Sequence, residues 1–166
     1  SISKIQNLKS KIQNRMNNWI KIKGIIKQGY GVASGKGGDK RFPNGTIEMQ
    51  KPFFSQQGLD LEPYFSGTLN ISISPHQYSV KQAKYTFKNL KWAEKEPAED
   101  FSFFDCRIHL KNGEIKSGLI YYPHPDTKPE HFQAADILEI ITFKIDDLNY
   151  GDEVILEVDS QQIEIN

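Results

Sequence analysis

Leu69-Asn70-Ile71-Ser72-Ile73-Ser74 places Leu69, Ile71 and Ile73 on one side and Asn70, Ser72 and Ser74 on the other. A period of two is the pattern of a half-buried strand. Just ahead, in Tyr64-Phe65-Ser66-Gly67-Thr68, Gly67 allows a tight turn. Thr68 and Asn70, two residues apart, then carry hard oxygens to the same face. Such a pair suits a Mg²⁺ that keeps most of its waters and takes its other ligands from a nucleotide's phosphates. The same residues equally suit a strand whose outward side chains are ordinary polar ones.

Working outward, further strands are expected at Tyr85 to Trp92 and Phe101 to Leu110, the latter with a change of phase near Asp105. Between them, 93–100 reads as a charged loop. Lys111-Asn112-Gly113-Glu114 predicts a tight hairpin into Ile115 to Tyr122, and Gly151-Asp152 predicts a turn into an alternating strand ending at Val158. Ala134 to Ile141 fits a helix on propensity and a strand on its paired Ile and Leu residues. Asn44-Gly45 marks a turn, Thr46, Ile47 and Met49 start an extended run, and 52–63 reads as a longer connection. Strands at this spacing point to a barrel or a sandwich, so the fold class is all-β.

Upstream of Gly24 the period changes. Ile2, Ile5, Leu8, Ile12, Met16 and Trp19 recur every three or four residues, which predicts an amphipathic helix over 1–23 ahead of a barrel domain over 24–166. Its stripe suits packing on the domain body, and its basic face suits a partner or a membrane surface. After a strand through Ile25, Ile26, Tyr30 and Val32 comes Ser34-Gly35-Lys36-Gly37-Gly38-Asp39-Lys40-Arg41. Glycines let the backbone turn its N–H groups towards an anion, and the lysines add positive charge, so the segment suits phosphate. It is not a Walker A loop, and a solvated glycine-rich hairpin is its plain structural reading.

At 166 residues, 37% hydrophobic and 25% charged, the chain holds one cored domain and an appendage. Its 21 basic and 21 acidic residues cancel, leaving no global electrostatic case for nucleic acid or membrane. The two ends differ in sign: residues 1–38 carry only bases, and from Asp136 onward nine acids stand against Lys144 alone. They are expected either to pack together or to serve a partner. Cys106, the single cysteine, excludes an intrachain disulfide and fits a reducing cytosol, the expected location. No signal peptide or membrane-spanning run is legible. His76, His109, His124 and His131 lack metal-ligand spacing.

Four stretches in order, Gly31-Val32-Ala33-Ser34-Gly35-Lys36-Gly37, Tyr64 to Ile71, Asp136 to Ile141, and Leu148 to Val158, resemble the archaeal CTP-dependent riboflavin kinase family over roughly residues 24 to 160. The resemblance implies a compact six-stranded β-barrel of the cradle-loop type. It also implies transfer of the γ-phosphate of CTP to the 5′-hydroxyl of riboflavin, giving FMN and CDP. By position it implies Mg²⁺ at Thr68 and Asn70, and nucleotide at Gly35, Lys36, Gly37, Gly38, Asp39 and Lys40. Glu139 falls at an acidic position near the flavin, where it is the candidate base or orienting group, and His131 falls at the flavin site in place of a threonine.

The chain departs from the family pattern in three places. Gly37-Gly38-Asp39 shifts the phase of the glycine loop, His131 replaces the threonine, and Thr142-Phe143-Lys144-Ile145-Asp146 replaces a Pro-x-x-Leu-Arg segment that helps hold the nucleotide. Two functions follow: a riboflavin-type kinase, or a non-catalytic flavin, nucleotide or protein-binding module on the same barrel. Nucleic-acid binding has only the N-terminal lysines and Trp19 in its favour.

Overall fold

The computed structural model describes residues 3–8, 18–28, 45–128 and 134–166. Residues 3–8 form a short helix, α1. The remaining elements are β1 (Trp19–Lys27), α2 (Thr46–Gln56), β2 (Leu69–Ser72), β3 (Tyr78–Val80), β4 (Tyr85–Leu90), β5 (Glu99–His109), β6 (Ile115–Pro123), a 3₁₀ turn at Pro125–Thr127, β7 (Ile137–Thr142), β8 (Glu153–Asp159) and β9 (Ile163–Ile165).

Six strands close an antiparallel barrel in the order β5-β6-β7-β2-β1-β8, with β8 pairing back on β5 through Cys106↔Val158 and Ile108↔Leu156. The order β8-β5-β6-β7 is a Greek key: three neighbours in succession, then a fourth strand returning beside the first. Closure leaves the barrel strands without free edges. β4 extends the wall along the first half of β5, and β3 pairs with β9 in a separate two-stranded sheet.

Alternation decides which side chains fill the barrel. Ile71, Ile73, Phe104, Cys106, Ile108, Ile120, Leu138, Ile140, Leu156 and Val158 form one buried cluster inside it. Residues of opposite parity, Phe101, Phe103, Leu119, Tyr121 and Ile141, form a second cluster with Ile47, Phe54, Leu59, Leu61, Phe87 and Trp92. That second core lies between the outer wall and a covering layer of α2, β4 and the segment after α2. The phase change expected near Asp105 has its cause here. β5 keeps one continuous register with β6 from Phe101↔Pro123 to His109↔Ile115, and only the outer cover stops.

The extended run expected at Thr46 to Met49 is a helix, α2, and so is the first part of the connection expected from residue 52. Its buried residues are Ile47, Gln50, Lys51 and Phe54, the helical period of a face laid on the wall, with Pro52 on the exposed side. Local β-branched propensity lost to this packing. Lys51 Nζ donates to the Tyr64 carbonyl at 2.8 Å, which ties the segment after α2 to the helix. β1 begins at Trp19, so Trp19 to Lys23 lie in a strand and not in the expected helix. Ala134 to Ile141 resolves in favour of a strand, β7. The expected turns at Asn112-Gly113 and Gly151-Asp152 are present, each with a glycine at positive φ, 90° and 91°.

Among the described residues, the basic stretch in β1 packs beside the acidic β8. β1 runs beside β8 with Lys21↔Glu157 in register, and Lys23 Nζ lies 3.3 Å from Glu153 Oε2. The exposed Lys23–Glu153 pair adds little stability but disfavours other registers. Among the described residues, no helix is long and apolar enough to cross a membrane.

Candidate functional site

Thr68, Asn70 and Glu139, named from sequence, meet on the outer wall. Leu138 and Ile140 point into the barrel, so Glu139 between them points out. Its register partner on β2 is Asn70, and the partner of Asn70 on β1 is Lys27. On the other side, the β6–β7 register through Ile120↔Ile140, continued by one step, sets Tyr121 beside Glu139. Tyr121, Glu139, Asn70 and Lys27 therefore form a row across four strands. Thr68 Oγ1 donates to Glu139 Oε1 at 3.3 Å.

This row is polar yet covered. Glu139 is 8% exposed, and Tyr121 OH donates to Gln50 Oε1 of α2 at 2.7 Å. From the alternation, Asn70 is expected to point outward. It lies on the outer face, but its Oδ1 is buried and meets no hydrogen-bond donor among the described residues. A buried acceptor without a donor costs about 1–3 kcal/mol, so such a group calls for a ligand, ion or water.

Electrostatics follow from burial. Burial pushes the Glu139 carboxyl above its ordinary value, against the downward pull of Lys128 and of the Thr68 hydrogen bond. Burial lowers Lys128, opposed by Glu139 and then by Glu99. Glu99 is also raised by burial, although Trp92 Nε1 donates to its Oε2 at 2.6 Å. Its Oε1 is a second buried acceptor without a donor among the described residues. Lys128 Nζ stands 5.9 Å from the centre of the Tyr121 ring. The half-buried Lys128 amine thus sits among two buried carboxyl groups and a tyrosine face.

A stability prediction follows from Glu99. The folded state holds its proton to higher pH than the unfolded chain does. As pH rises from the ordinary carboxylate range to the raised folded value, the native state binds more protons and stability falls. Glu99→Gln keeps an acceptor for Trp92 and removes that titration. Its expected outcome is a smaller loss of melting temperature across the interval than in the parent, read by thermal melts over a pH series.

Beside Glu139 opens a cavity of about 160 Å³ lined by Tyr78, Tyr121, Tyr122, Pro123, Lys128 and Glu139. This is close to the ~150 Å³ cavity that takes up one benzene, so it admits one ring-sized group. It lies where β6 ends and β7 begins. At the opposite end of the row, β1 ends at Lys27 and β2 begins, so the chain segment carrying the glycine-rich motif attaches on that side.

Gly35, Lys36, Gly37, Gly38, Asp39, Lys40 and His131 lie outside the described residues. Sequence reasoning missed Lys128, Tyr121, Gln50 and Glu99. Tyr121 was legible only as a strand residue, and nothing local to Thr127-Lys128 or Gln50 marks them. Among the described residues, no three His, Cys, Asp or Glu side chains group as metal ligands. Neither a family model nor a curated protein matches the chain.

Proposed function

We propose that this protein is a Mg²⁺-dependent phosphotransferase that moves the γ-phosphoryl group of CTP to the 5′-hydroxyl of riboflavin, releasing CDP and FMN. The supporting observation is the row that joins Asn70 and Glu139, with Thr68 bonded to it, a ring-sized cavity at one end and the attachment of the glycine-rich segment at the other. This order, acceptor side, polar centre, donor side, is what an in-line transfer requires. The particular substrates come from the motif resemblance.

Asn70 Oδ1, buried without a donor among the described residues, and the Thr68 hydroxyl fit a hard cation such as Mg²⁺. Thr68 and Asn70 would hold it, and it would neutralise phosphate charge. Glu139 orients the acceptor hydroxyl and takes its proton, and the Thr68 hydrogen bond holds the carboxylate in place. The hydroxyl oxygen bonds to the γ-phosphorus as the bond from that phosphorus to the β–γ bridging oxygen breaks, and CDP leaves with the electron pair. The ring-sized cavity takes part of the acceptor's ring system, against Tyr121 and Tyr122.

The second reading is a flavin- or nucleotide-binding module without turnover, favoured by Phe143 and Lys144 standing exposed within the segment that departs from the family pattern. Chromatography of a mixture of protein, Mg²⁺, CTP and riboflavin separates the two. FMN and CDP in equal amounts support the kinase. Binding with no FMN supports the module.

A further inference from the structure

Lys128 shares the walls of the cavity with Tyr78, Tyr121, Tyr122 and Glu139, and among the described residues its Nζ meets no hydrogen-bond acceptor and no ion-pair partner. The Tyr78 and Tyr122 hydroxyls likewise donate to nothing among those residues. Tyr121 differs, because its hydroxyl is committed to Gln50. Free donors therefore border a space of about 160 Å³ whose walls are otherwise aromatic. Donors in such a place call for a ligand or a water that accepts.

Charge narrows the ligand. Burial, then Tyr122 and Glu139, push the Tyr78 hydroxyl above its ordinary value, so it keeps its proton and remains a donor. An amine donates whether or not it carries the extra proton. Glu139 and Glu99 both act on Lys128, and two carboxyl groups against one amine leave no surplus positive charge to attract an anion. The ligand that fits is a neutral ring, one ring in size, that carries an oxygen acceptor.

Resting on the reading above that this cavity takes a ring, we infer that Lys128 is its specificity-determining residue, donating from its amine to a carbonyl oxygen on a neutral aromatic ring held among Tyr78, Tyr121 and Tyr122. Lys128 selects a ring carbonyl over a bare ring by the hydrogen bond, and Glu139 and Glu99 select against a ring carboxylate by charge.

Ligand-detected NMR titration with N-methyl-2-pyridone, benzene and benzoate tests this on the parent chain and on Lys128→Met, which keeps an unbranched apolar stem and removes the donor. Thermal melts show whether the variant is folded, and FMN formation from riboflavin with Mg²⁺ and CTP is measured alongside on the parent. The parent is expected to bind N-methyl-2-pyridone most tightly and benzoate least. Lys128→Met is expected to weaken N-methyl-2-pyridone by roughly 5- to 150-fold, the range for leaving one carbonyl without a donor, and to leave benzene within about twofold.

Benzene or benzoate binding the parent as tightly as N-methyl-2-pyridone would overturn the inference, as would a folded Lys128→Met that binds the pyridone unchanged. No binding of any probe to the parent would overturn it too. If Lys128→Met fails to fold, the order of the probes on the parent decides. FMN formed without these preferences would overturn the role of Lys128 and leave the phosphotransfer reading standing. The preferences without FMN would do the reverse.

Discussion

Asn70→Ala is expected to abolish Mg²⁺-dependent transfer while the barrel keeps its folding transition at an unchanged temperature. The two halves of this result come from one atom. Asn70 Oδ1 is buried, and among the described residues it meets no donor. An acceptor buried without a donor among the described residues adds no hydrogen bond to the fold, so alanine removes none there. In the proposed reaction the same oxygen is a ligand. Changing an outer-shell partner of a metal site already costs about 10–100-fold, so loss of a direct ligand should exceed ~100-fold in turnover. The measurement is a paired turnover assay and thermal melt on parent and variant. A lower melting temperature with turnover retained would make Asn70 a structural residue.

Phe54→Ala is expected to have the largest effect on stability. Phe54 is fully buried on α2 and meets Phe101 and Phe103 edge-on at 5.1 and 5.0 Å, with Phe87 at 5.8 Å. Its truncation removes the centre of the second core and leaves a cavity between helix and wall, a loss of about 3–5 kcal/mol in unfolding free energy. Because α2 also carries Gln50, the partner of Tyr121, loosening the helix should reach the polar row too. Denaturant titration gives the stability change. A loss below about 1 kcal/mol would mean that α2 contributes little to the fold.

How much of this was legible in the chain depends on the range of the interaction. The alternation at Leu69 to Ile73, the turn at Asn112-Gly113 and the turn at Gly151-Asp152 are local signals, and each survives in the fold. Thr46, Ile47 and Met49, expected as an extended run after the Asn44-Gly45 turn, lie in α2. Its helical face becomes meaningful only when the wall supplies Phe101, Phe103 and Tyr121 to bury it. The change of phase in β5 likewise needed knowledge of which half is covered from outside.

The site divides in the same way. Thr68 and Asn70 are two residues apart and could be read together. The bonds from Thr68 to Glu139 and from Tyr121 to Gln50 each span 71 residues, a separation that no local pattern encodes. The resemblance linked Glu139 to Thr68 and Asn70 by motif order, and the strand register brings these three together. Lys128 had no such guide. Its importance rests on burial among Glu139, Glu99 and Tyr121, which exists only once β5, β6 and β7 are side by side.

The most direct test of the central claim, that this row is a place where donor and acceptor meet over a cation, is calorimetric titration of the parent protein with CTP and with riboflavin, each with and without Mg²⁺. The account predicts CTP binding that requires Mg²⁺, together with flavin binding that persists when nucleotide is already bound. Nucleotide binding indifferent to Mg²⁺, or mutual exclusion of nucleotide and flavin, would contradict it.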